Sequence, residues 1–321
     1  MVLEFAISVA VVKKRYPGTR LSLHGFDRAE VRSIVGFSVY VLLFAIGYKL
    51  MFQTGPLILG AFWPKSSVAA FGYGTTLVLF LTDFVLAIGA VAMPTAIKLN
   101  IEKKQKELQD MFLQWSKIAF SLALAAGLYL MVLGTDFLRE WIRDERFDAV
   151  GAGRVNAILM LSHFVFLPVR GVGLPILMGL GRPERATVAF LVSGVLNVAI
   201  GFALVKPMGM TGVALGIAIP DALFAFYALV LVCRELHVPW RRYVGYVGAK
   251  ALIGAVPVLG FLFFLKAFVP MTGRVPVLLS GVASTAVFAI VWVLFVYRND
   301  PYVDALGRLK RLLPFTRKSA S

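Results

Sequence analysis

Six polar residues lie inside long apolar stretches of this sequence. Four are ionisable and two carry side-chain amides: Lys49, Asp83, Arg170, Asp221, Gln53 and Asn197. A charged group is costly in hydrocarbon, so each of the four is expected to face a charged partner or a water-filled cavity, which makes it a functional candidate. The alternative role for the four is an internal salt bridge that fixes helix register, and for the two amides an interhelical hydrogen bond.

The two cations occupy similar positions in their stretches. Lys49 and Arg170 each lie about sixteen residues into an apolar run, too deep for the side chain to reach water easily at the run's end. Asp83 and Asp221 are candidate counter-ions, or sites for a coupling proton or sodium ion. Asp221 directly follows Pro220, and a proline removes a helical hydrogen bond, so a local polar opening is expected there.

Motifs of soluble enzymes are missing from the sequence. It contains no phosphate-binding GxxxxGK[ST] loop, no HExxH, no GxSxG and no metal-spaced set of cysteines and histidines. We therefore expect no cofactor, no metal and no enzymatic activity. His163, the one histidine within an apolar run, is expected to be a hydrogen-bonded packing residue. A membrane-embedded glycosyltransferase or acyltransferase remains an alternative, although such enzymes carry acidic or histidine clusters on large loops, and the basic loops here are short.

The composition is typical of a polytopic membrane protein. Hydrophobic residues make up 59% of the 321 residues and charged residues 16%. Apolar runs of about 18 or more residues recur, each long enough to cross a hydrocarbon core of roughly 30 Å. This pattern predicts an all-α transmembrane bundle of about eight full spans plus a partial first helix. The net charge of +16 is interpreted as contact with membrane lipids rather than nucleic acid.

The order of apolar runs and polar stretches divides the chain into five segments. They are a partial transmembrane helix at 1–12, a cytoplasmic loop at 13–32, a six-helix lobe at 33–233, two appended transmembrane helices at 234–297, and a basic cytoplasmic tail at 298–321. When alternate loops are placed on opposite sides, 23 lysines and arginines fall on one side and 8 on the other. The positive-inside rule then places the tail in the cytoplasm.

Two places in the sequence predict a change of helix direction. Two apolar runs within 186–231 are joined by only six residues, 206–211, which include Pro207 and Gly209, so the runs must be antiparallel neighbours. Gly212 and Gly216 form a small-xxx-small pair that allows close helix approach. Further upstream, several prolines and glycines within 154–180 predict a bent or interrupted helix.

This region also carries a family resemblance. Gly181-Arg182-Pro183, then Leu196-Asn197-Val198, then Pro207-x-Gly209-x-x-Gly212-Val213-Ala214-Leu215-Gly216 resemble the carboxy-terminal half of polysaccharide and O-antigen flippases. These are members of the multidrug/oligosaccharidyl-lipid/polysaccharide exporter superfamily. The resemblance implies two six-helix lobes around a cavity, often with two appended helices. This chain would then be the second lobe with those two helices, and 1–12 the end of the sixth helix.

The function implied by the resemblance is transport. The expected substrate is a lipid-linked oligosaccharide, an undecaprenyl-pyrophosphate glycan, moved across the bacterial inner membrane for envelope polysaccharide synthesis by alternating access. Lys49 and Arg170 would hold the anionic headgroup, with Gln53 and Asn197 also at the substrate site. Alternating access needs two lobes that move against each other. A missing amino-terminal lobe is therefore an expected partner, and a truncated or half-sized transporter is the alternative.

Overall fold

The computed structural model describes residues 2–15 and 28–303, which are almost entirely helical and contain no strand. The α-helices are α1 (Val2–Arg15), α2 (Arg28–Phe52), α3 (Gly55–Gly60), α4 (Lys65–Ile101), α5 (Gln105–Ile142), α6 (Ala149–Pro168), α7 (Leu174–Gly179), α8 (Glu184–Glu235), α9 (Trp240–Tyr243), α10 (Lys250–Phe268) and α11 (Arg274–Val291). Three π-helical segments continue them at Val169–Gly173, Val244–Ala249 and Trp292–Val296.

The chain divides into two compact units after Leu42. The first unit contains α1 and the beginning of α2. The second contains the rest of α2 and every later helix that the structure describes. All the contacts described below lie within this second unit.

Six helical segments of the described residues are long and apolar enough to cross a membrane. They are Lys65–Ile101, Gln105–Ile142, Ala149–Gly179, Glu184–Glu235, Trp240–Phe268 and Arg274–Val296, and Ser38–Phe52 is a shorter apolar helix. Helices are suited to the hydrocarbon core of a membrane because they satisfy their backbone hydrogen bonds internally. The prediction of an all-α, polytopic transmembrane bundle is confirmed. The helices α4 and α5 have 37 and 38 residues, and both extend beyond the apolar runs from which they are predicted.

Helix α8 is a hairpin of two antiparallel arms. Its helical conformation breaks at Gly209, whose φ of 56° is in a region that residues with a side chain rarely adopt. A Cβ atom added at Gly216 would lie 2.9 Å from the Cα of Gly201, so the arms touch backbone to backbone. At their open end, Arg182 donates to Glu235 over 2.6 Å. The predicted antiparallel pair is therefore present, with a tighter turn than six residues.

The helix predicted to be interrupted contains a π-helical segment. α6 ends at Pro168, the π-helical turn Val169–Gly173 follows, and α7 begins at Leu174. Proline removes one backbone donor and its ring crowds the preceding turn, which favours such a bulge. π-bulges occur frequently at functional sites. This one contains Arg170.

A buried ion pair fastens the last two long helices to α5. The Lys117 ammonium bonds to Asp300, and the two side chains are only 2% and 1% exposed. The same ammonium donates to the Val296 carbonyl over 3.2 Å and lies 4.5 Å and 5.0 Å from the ring centres of Tyr246 and Tyr297. In the sequence, Lys117 is the last cation of a charged stretch, residues 98–117, which predicts an exposed position. In the structure its side chain is buried within the bundle, where Asp300 and two aromatic rings compensate the cost of burying its charge.

Candidate functional site

The guanidinium of Arg170 is the central feature of the candidate site. It stacks on two rings of α2, with its Cζ 4.8 Å from the ring centre of Phe44 and 6.0 Å from that of Tyr48. Among the residues that the structure describes, Arg170 forms no ion pair within 4.0 Å. Aromatic faces attract a cation without neutralising its charge. Arg170 thus keeps its charge and its hydrogen-bond donors for another partner.

A buried aromatic cluster supports this arrangement. Phe44 stacks on Phe190 at 4.5 Å between ring centres, and Phe190 lies 4.8 Å from Phe224. Phe166 continues the cluster, 6.3 Å from Phe224 and 5.9 Å from Phe52. The rings come from α2, α6 and both arms of α8. Because close-packed rings leave little freedom, the cluster holds α2 and the π-helical turn at a fixed separation around Arg170.

A histidine and an aspartate form a second polar pair beside this cluster. His163 Nδ1 lies 3.2 Å from Asp221 Oδ2, and the two side chains are 2% and 0% exposed. Ser162 Oγ lies 3.2 Å from the same nitrogen. Neither oxygen of Asp221 accepts a well-directed hydrogen bond from another described residue. Arg170 and Asp221 do not form a direct ion pair. A buried carboxyl without directed donors is suited to bind a proton or a cation.

An open groove at the molecular surface lies beside Ser162, next to this pair. Its volume is about 450 Å³, and α6 and the second arm of α8 form its walls. Ser162 is its polar lining residue, and the others are small or aliphatic, among them Ala218 and Ala222. Ser162 therefore lies between the groove and His163.

Three of the residues singled out in the sequence lie on exposed positions. Lys49, Gln53 and Asp83 are exposed, and none of their side chains bonds to another described residue. Lys49 therefore does not join Arg170 in one cluster, even though both lie about equally deep in an apolar run. Their proposed roles at the substrate or coupling-ion site stay predictions.

Asn197 joins two helices. It is 1% exposed, and its Nδ2 donates to the carbonyls of Leu50 and Met51 over 2.7 Å and 3.1 Å. It also donates to Thr54 Oγ1 over 3.2 Å. These carbonyls belong to the last turn of α2, where backbone acceptors lack intrahelical donors. The amide thus ties the end of α2 to the first arm of α8, as interhelical hydrogen bonds do, and its role toward substrate stays a prediction.

The arrangement of these helices matches a solved membrane transporter. The lipid II flippase MurJ, in an inward closed conformation, superposes with a TM-score of 0.61 over 80% of this chain and 52% of that one, at 14% sequence identity. This chain has the fold of a lipid II flippase.

A sequence relative agrees with the membrane assignment. An uncharacterized membrane protein of Methanocaldococcus jannaschii, MJ1068, is 25% identical over 211 residues, which are 64% of this chain and 40% of that protein. No protein-family profile matches the chain. The chain spans about half the length of the flippase and less than half that of the archaeal protein.

The sequence did not reveal the residues that surround Arg170 and Asp221. It predicts a packing role for His163, and it does not single out Phe44 or Tyr48. One signal was available, since His163, Phe166 and Arg170 recur at helical spacing and must share one face. No sequence pattern connects that face of α6 and the π-helical turn to α2, because the contact of Arg170 with Phe44 and Tyr48 joins residues more than a hundred positions apart.

Proposed function

We propose that this chain is the flipping lobe of a transporter for lipid-linked oligosaccharides, the undecaprenyl-pyrophosphate glycans of envelope polysaccharide synthesis. The observation that carries the proposal is the half-buried guanidinium of Arg170, which forms no ion pair with a described residue, within a flippase fold. A charge at membrane depth without a counter-ion is costly, and it is retained where a ligand supplies the opposite charge. A pyrophosphate presents oxygens that match the planar fork of arginine.

The other predicted residues have defined roles in this proposal. Arg170 binds the pyrophosphate, and Lys49 and Gln53, which are exposed, contact the headgroup as it enters or leaves. Alternating access requires a second lobe to move against this one. We therefore propose an amino-terminal lobe as its partner, and a bacterial inner-membrane location with the carboxy terminus in the cytoplasm.

A vesicle assay tests the proposed function. The complete protein, as its genome encodes it, is reconstituted with three fluorescent polyprenyl lipids whose heads are a pyrophosphate-linked glycan, a monophosphate-linked glycan and a neutral glycan. We expect transfer between leaflets to be fastest for the pyrophosphate and undetectable for the neutral lipid, because only phosphate oxygens engage Arg170. Equal transfer of all three lipids, or of none, would contradict the proposal.

The buried His163–Asp221 pair is proposed as the coupling-ion site. In the same vesicles, a proton gradient or a sodium gradient should accelerate transfer of the pyrophosphate lipid. The Asp221→Asn variant should lose at least about tenfold of this acceleration, because an amide neither binds a proton nor neutralises a cation as a carboxylate does. Asp83→Asn is the matched control at an exposed aspartate. A gradient response that survives in Asp221→Asn and disappears in Asp83→Asn would assign the coupling role to Asp83.

A further inference from the structure

A separate cavity lies where α5 ends and α11 begins, away from Arg170. Its volume is about 460 Å³. Three of its lining residues come from the last turns of α5 and three from the first turn of α11: Phe137, Glu140, Trp141, Arg274, Val277 and Leu278. The segment Arg274–Val296 has 23 residues, close to the length that crosses a hydrocarbon core, so its first turn is expected where hydrocarbon gives way to the aqueous phase. The cavity is therefore at the depth of lipid headgroups.

Two opposite charges flank this cavity without neutralising each other. Arg274 is exposed and forms no ion pair with another described residue. Glu140 accepts two bonds from Arg143, at 3.0 Å and 3.2 Å, and both end on Oε2. Its Oε1 takes part in neither of these two bonds, and the backbone N–H of Gly273 also faces this carboxylate. The cavity thus offers a cationic donor from α11 and a carboxylate oxygen from α5.

The remaining walls are suited to an acyl chain. Leu278 is 62% exposed and Trp141 is 43% exposed, whereas Val277 is buried beneath them. Trp141 packs edge-on against Tyr73, with ring centres 6.3 Å apart. Tryptophan and tyrosine are enriched at this depth because their rings bury apolar surface while their polar atoms stay near the headgroups. An amphipathic ligand with both charges in its head would contact all of these groups.

We propose that this cavity binds a phospholipid with a zwitterionic ethanolamine head. Arg274 binds its phosphate, Glu140 accepts a hydrogen bond from its primary ammonium, and the acyl chains lie along Leu278 and Trp141. A glycerol head carries no cation for the Oε1 atom of Glu140, and a choline head has no N–H to donate to it. The proposal is independent of the proposed flipping activity, since it involves none of the residues around Arg170.

Native mass spectrometry of the detergent-purified protein tests this site. Phosphatidylethanolamine, phosphatidylcholine and phosphatidylglycerol of identical acyl chains are added in turn. We expect phosphatidylethanolamine to bind about tenfold more tightly than the other two, which corresponds to one charge-assisted hydrogen bond. Glu140→Gln should abolish this preference, and Arg274→Gln should weaken binding of phosphatidylethanolamine and phosphatidylcholine alike.

Arg154→Gln is the matched control, because Arg154 is an exposed arginine of α6 that does not line the cavity. Thermal unfolding of every variant shows that it is folded. Equal binding of the three lipids by the unaltered protein would overturn the proposal. An ethanolamine preference that persists in Glu140→Gln would do the same, since it would place the selective site elsewhere.

Discussion

Replacing Arg170 with alanine is expected to abolish transfer of a pyrophosphate-linked lipid while leaving the protein folded. The guanidinium forms no direct ion pair with a described residue, so its removal breaks no buried salt bridge. The free energy of unfolding should fall only by the contribution of the contacts with Phe44 and Tyr48, about 0.5–2 kcal/mol. The free energy of substrate binding should fall by more. Removing one partner of a buried charge pair costs about 2–5 kcal/mol, so binding should weaken at least about thirtyfold.

Two further variants sharpen this measurement. Arg170→Lys keeps the charge but loses the planar fork, and it should recover only part of the affinity. Arg154→Ala removes an exposed cation from the same helical segment and should bind like the unaltered protein. Affinity for the pyrophosphate-linked glycan is measured in detergent, and unfolding is followed by circular dichroism. Unchanged affinity in Arg170→Ala would remove Arg170 from the substrate site, and unfolding of that variant would show that Arg170 is structural.

Replacing Lys117 with methionine is expected to be the most destabilising single change in the described bundle. Methionine has a similar length but leaves the Asp300 carboxylate in a site that is 1% exposed. Breaking a buried ion pair in this way costs about 3–5 kcal/mol. The double variant Lys117→Met/Asp300→Asn should recover much of this loss, because no uncompensated charge remains. Lys98→Met, which removes a 3.9 Å surface pair with Glu102, should cost less than about 0.5 kcal/mol.

The pH dependence of the same pair provides a second readout. Burial opposes ionisation of Asp300, but hydrogen bonds from Lys117, the Tyr302 backbone and Tyr246 outweigh it and hold the pKa of Asp300 below its ordinary value of 3.8. A carboxyl with a lowered pKa stabilises the folded state above its unfolded pKa, and this contribution is lost as the pH falls through the folded value. The stability difference between the unaltered protein and Asp300→Asn should therefore be constant above about pH 4 and shrink below it. A difference that grows on acidification would mean that Asp300 is not ionised in the folded protein.

Much of the fold was predictable because the membrane imposes local rules. Each membrane span must be a continuous apolar helix, so the apolar runs of the sequence predict the helices of the bundle. The α8 hairpin follows from a link too short to cross a bilayer and from Gly209, which adopts a left-handed φ without strain. The break before α7 follows from prolines. In each case the deciding residues lie within one or two turns of the feature that they produce.

The placement of charges was decided only by the tertiary structure. Lys49 and Arg170 are equivalent in the sequence, yet one is exposed and the other is stacked on Phe44. The difference depends on how each helix is rotated toward its neighbours. Hydropathy does not encode that rotation, since lipid and a packed interior are similarly apolar. The pairing of Lys117 with Asp300 joins residues 183 positions apart. The sequence thus determined that this protein is a helical membrane bundle and where its chain turns. Long-range side-chain packing decided which charges are paired, as Lys117 is with Asp300, and which form no ion pair with a described residue, as is true of Arg170.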